Sequence, residues 1–254
     1  MKTPPLFYGL SVSGLIFLYA PILLLIIFSF NAARFSPIWE GWTLHWYGQL
    51  VTDRALWAAT QNSLLVGVSS TLIALGFGVG AAFVLERERY TGTRVVDGIV
   101  MLPLVIPEIM MGVALLLFFV LTDMPLGLLT ITIGHGIFSL PLVIVIVRAR
   151  LQKLDPQLIE AAHDLGANPW QAFRLVTFPL LWPAIISAAL MAFTVSLDDF
   201  VITFFITGPG ATTLPLYVFS MIRTGISPAI HALSTLLVVT SMILISLSFV
   251  LQRK

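Results

Sequence analysis

The chain has 254 residues, of which 58% are hydrophobic and 10% are charged, and its formal net charge is +1. An average soluble domain carries about 25% charged residues, so a water-soluble globule of this composition could not cover its own surface. The balanced charge gives no support for binding nucleic acid, and the absence of cysteine excludes disulfides and thiolate chemistry. The composition therefore predicts an integral membrane protein.

Long apolar runs predict six transmembrane helices. One helical crossing needs about 20 mostly apolar residues, and continuous runs of this length exclude the alternating segments of a β-barrel. The first run has no short apolar core followed by a small-residue cleavage site, so it is interpreted as an uncleaved anchor. The spans together make a single transmembrane domain, 1–254. They are predicted at 6–30, 59–85, 98–121, 127–147, 183–206 and 232–251.

The basic residues outside the spans predict the orientation. Ten lysines and arginines lie on the side of the N-terminus, against three on the other side. Cytoplasmic connections are enriched in basic residues, so both termini are predicted to be cytoplasmic. The three on the outer side are Arg34, Arg54 and Arg223.

Two outer connections are long enough to have a shape of their own. Segment 31–58 mixes turn residues with tryptophans, which is typical of a membrane–water boundary, and is predicted to include an interfacial helix. Segment 207–231 contains TGPGATTLP, a composition typical of a turn or loop at the membrane surface.

The inner segment 148–182 is the longest polar stretch and predicts two short helices. Asp155-Pro156 can begin a helix that Gly166 ends, and Asn168-Pro169 can begin a second. The resulting elbow exposes Glu160 beside small alanines, which would let another surface approach closely. The residues alone leave open whether this is a docking elbow or an ordinary connecting loop.

A resemblance to a known family decides between these alternatives. Glu160-Ala161-Ala162, Gly166 and the Val-Thr-Phe-Pro run at 176–179 resemble the signature loop of ATP-binding-cassette (ABC) importer permeases. The SLDDF stretch at 196–200, the GPGATTLP loop and the order of spans are similar too, most of all to permeases of the spermidine/putrescine type. Val176 and Phe178 stand where the family often has isoleucine and leucine, and both exchanges are apolar.

The resemblance implies a type I ABC importer permease that imports putrescine or spermidine by alternating access. The implied partners are a second, non-identical permease, two ATPase subunits and a periplasmic polyamine-binding protein, in a bacterial inner membrane. The elbow, with Glu160, Ala161, Ala162, Asp164 and Gly166, would couple to the ATPases. No lysine follows a glycine, so the chain lacks the phosphate-binding loop. It is therefore predicted not to be an enzyme, with ATP and magnesium on the partner ATPases and no cofactor or metal of its own.

Acidic residues inside the spans predict the charge of the cargo. Glu108 lies in span three, where Pro107 can loosen the helix, and Asp198 and Asp199 lie in span five. An ionised side chain near the bilayer centre costs at least ~2.5–3.5 kcal/mol on insertion scales, so it is expected to face a cavity or a partner. Without basic residues in any span, these carboxylates favour a cation.

Adjacent helical residues point about 100° apart, so one aspartate of the pair is expected to face the pathway and the other a neighbouring helix. Two further residues are predicted to contribute to the substrate pathway. Ser196 offers a hydroxyl to an ammonium group, and Trp46, near the outer mouth, offers an aromatic face.

Other interpretations are kept as alternatives. The same machine could import another solute, such as iron, thiamine or an amino acid. A secondary carrier could instead use Glu108 and His135 without an ATPase, but it would have no reason to keep a docking elbow. His135 is expected to have a hydrogen-bonded packing role, and a hydrolase based on His135 and Ser139 is disfavoured because no oxyanion hole is recognisable.

Overall fold

A computed structural model describes residues 5–33, 38–87, 92–224 and 228–239. Apart from an isolated bridge between Asn31 and Trp42, the regular structure in these ranges is helical. The chain divides into two compact units, Met1–Trp57 with Tyr217–Lys254, and Ala58–Leu216. The helices are α1 Pro5–Phe28, α2 His45–Thr52, α3 Arg54–Arg87, α4 Thr93–Val105, α5 Glu108–Leu121, α6 Leu128–Leu151, α7 Gln157–Asp164, α8 Pro169–Ala172, a π-helix Phe173–Thr177, α9 Phe178–Asp198, α10 Val201–Ile206, α11 Leu214–Thr224 and α12 Pro228–Val239.

Four of these segments are long and apolar enough to cross a membrane, and a bent pair adds a fifth candidate. The four are Gly9–Phe28, Arg54–Glu86, Leu128–Leu151 and Pro169–Asp198. The prediction of an all-helical, multi-pass membrane protein is confirmed. Most of the sixth predicted span, 232–251, lies outside the described residues, so the count of six and the side of the termini stay predictions.

Two spans that the composition predicts as continuous are broken. In the third, α4 ends at Val105 and α5 begins at Glu108, with a bend of 106° between them. Pro107 has no N–H to continue the helix and disfavours helical backbone at Ile106, which is extended. In the fifth, α9 ends at Asp198 and α10 begins at Val201. Hydropathy does not reveal either break, because the helices on both sides of each break are apolar.

The unit Ala58–Leu216 is held together by close helix packing around α6. A Cβ on Gly78 of α3 would lie 2.7 Å from Cγ1 of Val143 in α6, so these two backbones approach closely. Alanines 188 and 192 of α9 are fully buried in the same apolar cluster. Small residues allow such contacts between helices that have no hydrophobic driving force in lipid.

In the other unit, Asn31 organises the outer segment. Its side-chain oxygen accepts from the backbone N–H of Glu40 at 2.9 Å, and its amide donates to the carbonyl of Ile38 at 3.0 Å. The Trp46 indole donates to the Asn31 carbonyl at 2.8 Å, which fastens the start of α2. Helix α2 lies in the segment where an interfacial helix is predicted.

Asp53 connects the first turn of α3 with Tyr217 of α11, both of which lie in this unit. Its carboxylate accepts from the backbone N–H groups of Ala55 and Leu56, capping α3, and from the hydroxyl of Tyr217 in α11. Burial alone would raise the pKa of Asp53, but the hydrogen bonds from Tyr217 and the two N–H groups outweigh it and lower that pKa. Burial and the Asp53 carboxylate both raise the pKa of Tyr217, so the tyrosine stays a donor.

The packing of Gly78 gives a stability prediction. Gly78→Ala should destabilise the chain by about 1–3 kcal/mol, because the new methyl group meets Val143 near its branch point. Gly76→Ala is the matched control on the same helix: nothing lies within 4 Å of its Cβ position, and alanine is the better helix former. Thermal unfolding of the purified chain in detergent compares them, and an unchanged midpoint for Gly78→Ala would contradict the packing.

Candidate translocation site

The two helix breaks place acidic residues at a common level. Glu108 begins α5, and Gly112, one turn later on the same face, abuts the ring of Phe205, where a Cβ would lie 2.6 Å from Cδ2. Phe205 is in turn four residues after Val201, the start of α10. Four residues rise about 6 Å along a helix. Glu108 and the start of α10 therefore lie at a similar distance from this contact.

This register holds because α5 and α10 run in the same direction. The carbonyl of Ile206, at the end of α10, accepts from the Thr130 hydroxyl at 2.8 Å, and Gly208 lies against the backbone of Leu126. Leu126 belongs to the short connection after α5, and Thr130 to the first turn of α6. The C-terminal ends of α5 and α10 thus lie close together, and the two helix breaks lie at the opposite, N-terminal ends of these helices.

Glu108 and Asp198 are exposed at these breaks. Glu108 occupies the first turn of α5, where the helix dipole favours an anion. Asp198 is the last residue of α9, and the last carbonyls of a helix have no partner within it. Carboxyl groups beside helix-terminal carbonyls offer hydrogen-bond acceptors, which suit ammonium groups.

Asp199, by contrast, points into the protein. Its side chain is 6% exposed, and its Oδ2 atom lies 3.0 Å from Nε2 of His135 in α6. The same oxygen accepts from the backbone N–H and the hydroxyl of Thr203, both at 2.8 Å, while Oδ1 accepts from the N–H of Ile202 at 3.3 Å. Asp199 therefore caps α10 and tethers it to α6.

The other side of the His135 ring is also occupied. Its Nδ1 atom lies 2.7 Å from the Ser196 hydroxyl, which accepts from the Ser70 hydroxyl of α3 at 3.2 Å. The Nε2 atom faces the Asp199 carboxylate and the Thr203 hydroxyl, which suits a hydrogen-bond donor at this nitrogen. Ser196 is thus a buried link in this network between α3 and α6.

The sequence predicts a hydrogen-bonded role for His135 but does not identify its partners. The run Ser69-Ser70-Thr71 lies inside an apolar span, and hydroxyl groups in such a place indicate a polar contact with another helix. This pattern could have identified Ser70 as a member of the network. The order serine, histidine, aspartate resembles a hydrolytic triad. Ser196 is 6% exposed, however, which leaves no access for a substrate carbonyl, and the Ser139 hydroxyl is buried without a partner among the described residues.

Trp46 lies in the other unit and is 7% exposed, with its indole N–H engaged by Asn31. Its ring packs edge-on against His45 with centroids 5.2 Å apart. The structure therefore gives Trp46 a packing role in this chain, and its contact with cargo stays a prediction.

The predicted elbow is present and well formed. Helix α7 ends in a turn in which Gly166 has φ +85°, and the N–H of Ala167 donates to the carbonyl of Ala162 at 3.0 Å. Asn168 and Gln171 then form a reciprocal cap that begins α8. The coupling residues are exposed except Ala162, which is half-buried; they are Glu160, Ala161, Ala162, Asp164 and Gly166.

Comparison with known proteins identifies the family. The model for "Binding-protein-dependent transport system inner membrane component" matches residues 73–254, a range that contains both breaks and the elbow. The chain belongs to this family.

Among curated relatives, the chain is 44% identical to the putrescine transport system permease protein PotI of Escherichia coli over 231 residues, covering 88% of this chain and 82% of PotI. It is 38% identical to the spermidine/putrescine transport system permease protein PotC of E. coli over 237 residues, covering 93% and 90%. PotC of Haemophilus influenzae is 36% identical over 238 residues, with 94% and 93% covered.

Two solved structures share the fold. A chain of a bacterial ABC transporter that imports alginate superposes with a TM-score of 0.71 at 18% identity, covering 100% of this chain and 98% of its own. A chain of the methionine transporter MetNI, in inward-facing conformations, gives 0.65 at 21% identity, covering 81% and 95%. The predicted importer-permease fold and the family resemblance are confirmed, and the chain is a translocation component of an ABC transporter.

The site gives a prediction that separates the two adjacent aspartates. Asp199→Asn should lower the stability of the permease chain by about 1.5–3 kcal/mol, because a buried carboxylate that accepts several hydrogen bonds is replaced by an amide with two donors. Asp198→Asn, at an exposed position, should leave stability unchanged. Thermal unfolding in detergent measures both, and equal midpoints for the two variants would contradict the assignment.

Proposed function

We propose that this chain is the permease subunit of a bacterial polyamine importer, which moves putrescine or spermidine by alternating access. The observation that carries the proposal is the pair of helix breaks at a common level, each with an exposed carboxylate, in a chain whose predicted spans contain no basic residue. The names of the PotI and PotC relatives support the same cargo.

The chemistry of the breaks suits a polyamine. A diamine has ammonium groups separated by an apolar stem, and it needs acceptors at more than one place with apolar surface between them. Glu108 and Asp198 supply carboxyl acceptors, the last carbonyls of α4 and α9 supply further ones, and the surrounding helices are apolar. The fold does not choose the cargo, since similar chains belong to alginate and methionine transporters.

The other functions of the transporter are assigned to partner proteins. A second permease would complete the pathway, two ATPase subunits would bind ATP and magnesium, and a periplasmic binding protein would deliver the polyamine. The exposed elbow around Glu160 and Gly166 would dock on an ATPase and transmit its closure to the spans. This closure drives transport because the ATPases bind the two states of the permease with different free energy. The bacterial inner membrane is the proposed location.

Reconstitution tests the cargo. The full complex in liposomes should hydrolyse ATP faster and accumulate labelled putrescine or spermidine when the loaded binding protein is supplied. Glu108→Gln and Asp198→Asn should each reduce uptake about tenfold, the loss expected for one charged hydrogen bond to an ammonium group.

Glu40→Gln, which neutralises an exposed carboxylate outside the spans, is the matched control and should leave uptake unchanged. Hydrolysis that no polyamine and binding protein stimulates would refute the cargo. Unchanged uptake by both Glu108→Gln and Asp198→Asn would refute the site.

The elbow gives a separate prediction. Gly166→Ala should weaken the stimulation of ATP hydrolysis severalfold, because left-handed backbone costs a residue with a Cβ about 1–2 kcal/mol. Gly166→Asn is the control, since asparagine tolerates this conformation, and it should retain most of the stimulation. Equal losses in the two variants would show that the backbone conformation is not what matters.

A further inference from the structure

A network of hydrogen bonds holds the break between α9 and α10. Ser70, His135, Ser196, Asp199 and Thr203 form a continuous chain of hydrogen bonds that joins α3, α6, α9 and α10. His135 is the centre of this chain, because each ring nitrogen binds a different helix. It is 2% exposed, so it cannot itself meet a solute in this arrangement.

These contacts determine the direction of the neighbouring aspartate. The backbone at Asp199 is extended, and its carboxylate is held inward by His135 and by the first N–H groups of α10. Asp198, the residue before it, is exposed. As long as Asp199 stays fastened, α9 cannot continue into α10, and its last carbonyls remain without helical partners.

We infer that His135 is a positioning residue for the cation site at the α9 break. By binding Asp199 through Nε2, it keeps the break open and directs Asp198 and the carbonyl end of α9 toward the pathway. Asp199 then acts through the backbone and does not bind the cargo, although it is adjacent to a residue that does. This inference rests on the proposed function for its cargo, but the arrangement of the two aspartates is independent of it.

Two substitutions at His135 separate its two hydrogen bonds. A glutamine amide nitrogen can reach the place of Nε2, so His135→Gln keeps a donor for Asp199 and loses the contact with Ser196. An asparagine amide reaches only the place of Nδ1, so His135→Asn keeps the contact with Ser196 and leaves Asp199 without its donor from α6. The inference predicts that glutamine substitutes for His135 and asparagine does not.

The first readout is the polyamine taken up per ATP hydrolysed in liposomes with the loaded binding protein. Under the proposed function hydrolysis is triggered at the outer surface and the elbow, so a misdirected Asp198 lowers uptake more than hydrolysis. His135→Asn should lower this ratio about tenfold and His135→Gln less than about threefold. Asp198→Asn added to His135→Asn should lower it no further, because both changes remove the same acceptor.

The second readout needs no cargo. A hydrophobic carbodiimide reacts with protonated carboxyl groups, so labelling at mildly acidic pH followed by mass spectrometry reports which of them are accessible in the membrane. In the unaltered complex and in His135→Gln, Asp198 should be labelled and Asp199 protected. In His135→Asn, Asp199 should become labelled as well, at a matched amount of assembled complex.

Equal effects of His135→Gln and His135→Asn on the transport ratio would overturn the inference. So would losses that merely follow the amount of assembled complex, since these indicate a packing role alone. Labelling of Asp199 as readily as Asp198 in the unaltered complex would also overturn it. If the unaltered complex transports no polyamine, the proposed function fails, and the labelling pattern alone then decides the role of His135.

Discussion

A backbone that leaves the helix inside a membrane must find partners for every N–H and carbonyl group, because lipid offers none. This constraint shapes the centre of the permease. At the α4–α5 break, Pro107 removes one N–H, and at the α9–α10 break the Asp199 carboxylate accepts two of them. Pro107 thus reduces the number of N–H groups that need a partner at the first break, and Asp199 satisfies part of those at the second. The last carbonyls of α4 and α9 have no partner within their own helices, and acceptors of this kind are what the proposed cation site requires.

His135 stabilises the break between α9 and α10. A buried carboxylate is stable only when its hydrogen bonds are complete, and Asp199 obtains them from α10 and from His135. The imidazole is in turn held by Ser196, and Ser196 by Ser70, so the network reaches a third helix. Close packing supports it, because a Cβ on Gly134, the residue before His135, would lie 2.5 Å from Cδ1 of Ile206. A partly satisfied network of this kind would be less stable than an apolar contact. The close packing at Gly134 helps to hold the hydrogen-bonding groups in place.

The sequence predicts well those features that depend on residues close together in the chain. The spans follow from composition, and the elbow follows from a proline, a glycine and an asparagine that act within a few residues of their own positions. The direction of the adjacent aspartates is not local: it depends on His135, which is 64 residues from Asp199 in the chain, and no spacing rule connects them. Hydropathy also treats a bent span as straight, so Pro107 predicts a loosened helix but not a bend of 106°. Trp46 is a similar case, since its composition-based role at the membrane boundary does not reveal that its indole fastens the carbonyl of Asn31.

The elbow and the proposed cation site lie at the two ends of α9. The π-helix Phe173–Thr177 continues into α9, and the Phe173 ring stacks on Trp170 of α8 with centroids 5.5 Å apart. Phe178 then contacts both Phe173 and Trp182, so the base of α9 is tied to the elbow by side chains as well as by backbone. At the far end of the same helix, Asp198 is exposed while Asp199 is bound to His135 of α6. A rigid helix displaced at its base while tethered at its tip must pivot about the tether, so its base moves farthest while Asp198, beside the tether, keeps its position as the helix changes direction around it. Under the proposed function, this geometry lets closure of the ATPases change the surroundings of the cargo without any change in the buried network that holds the break.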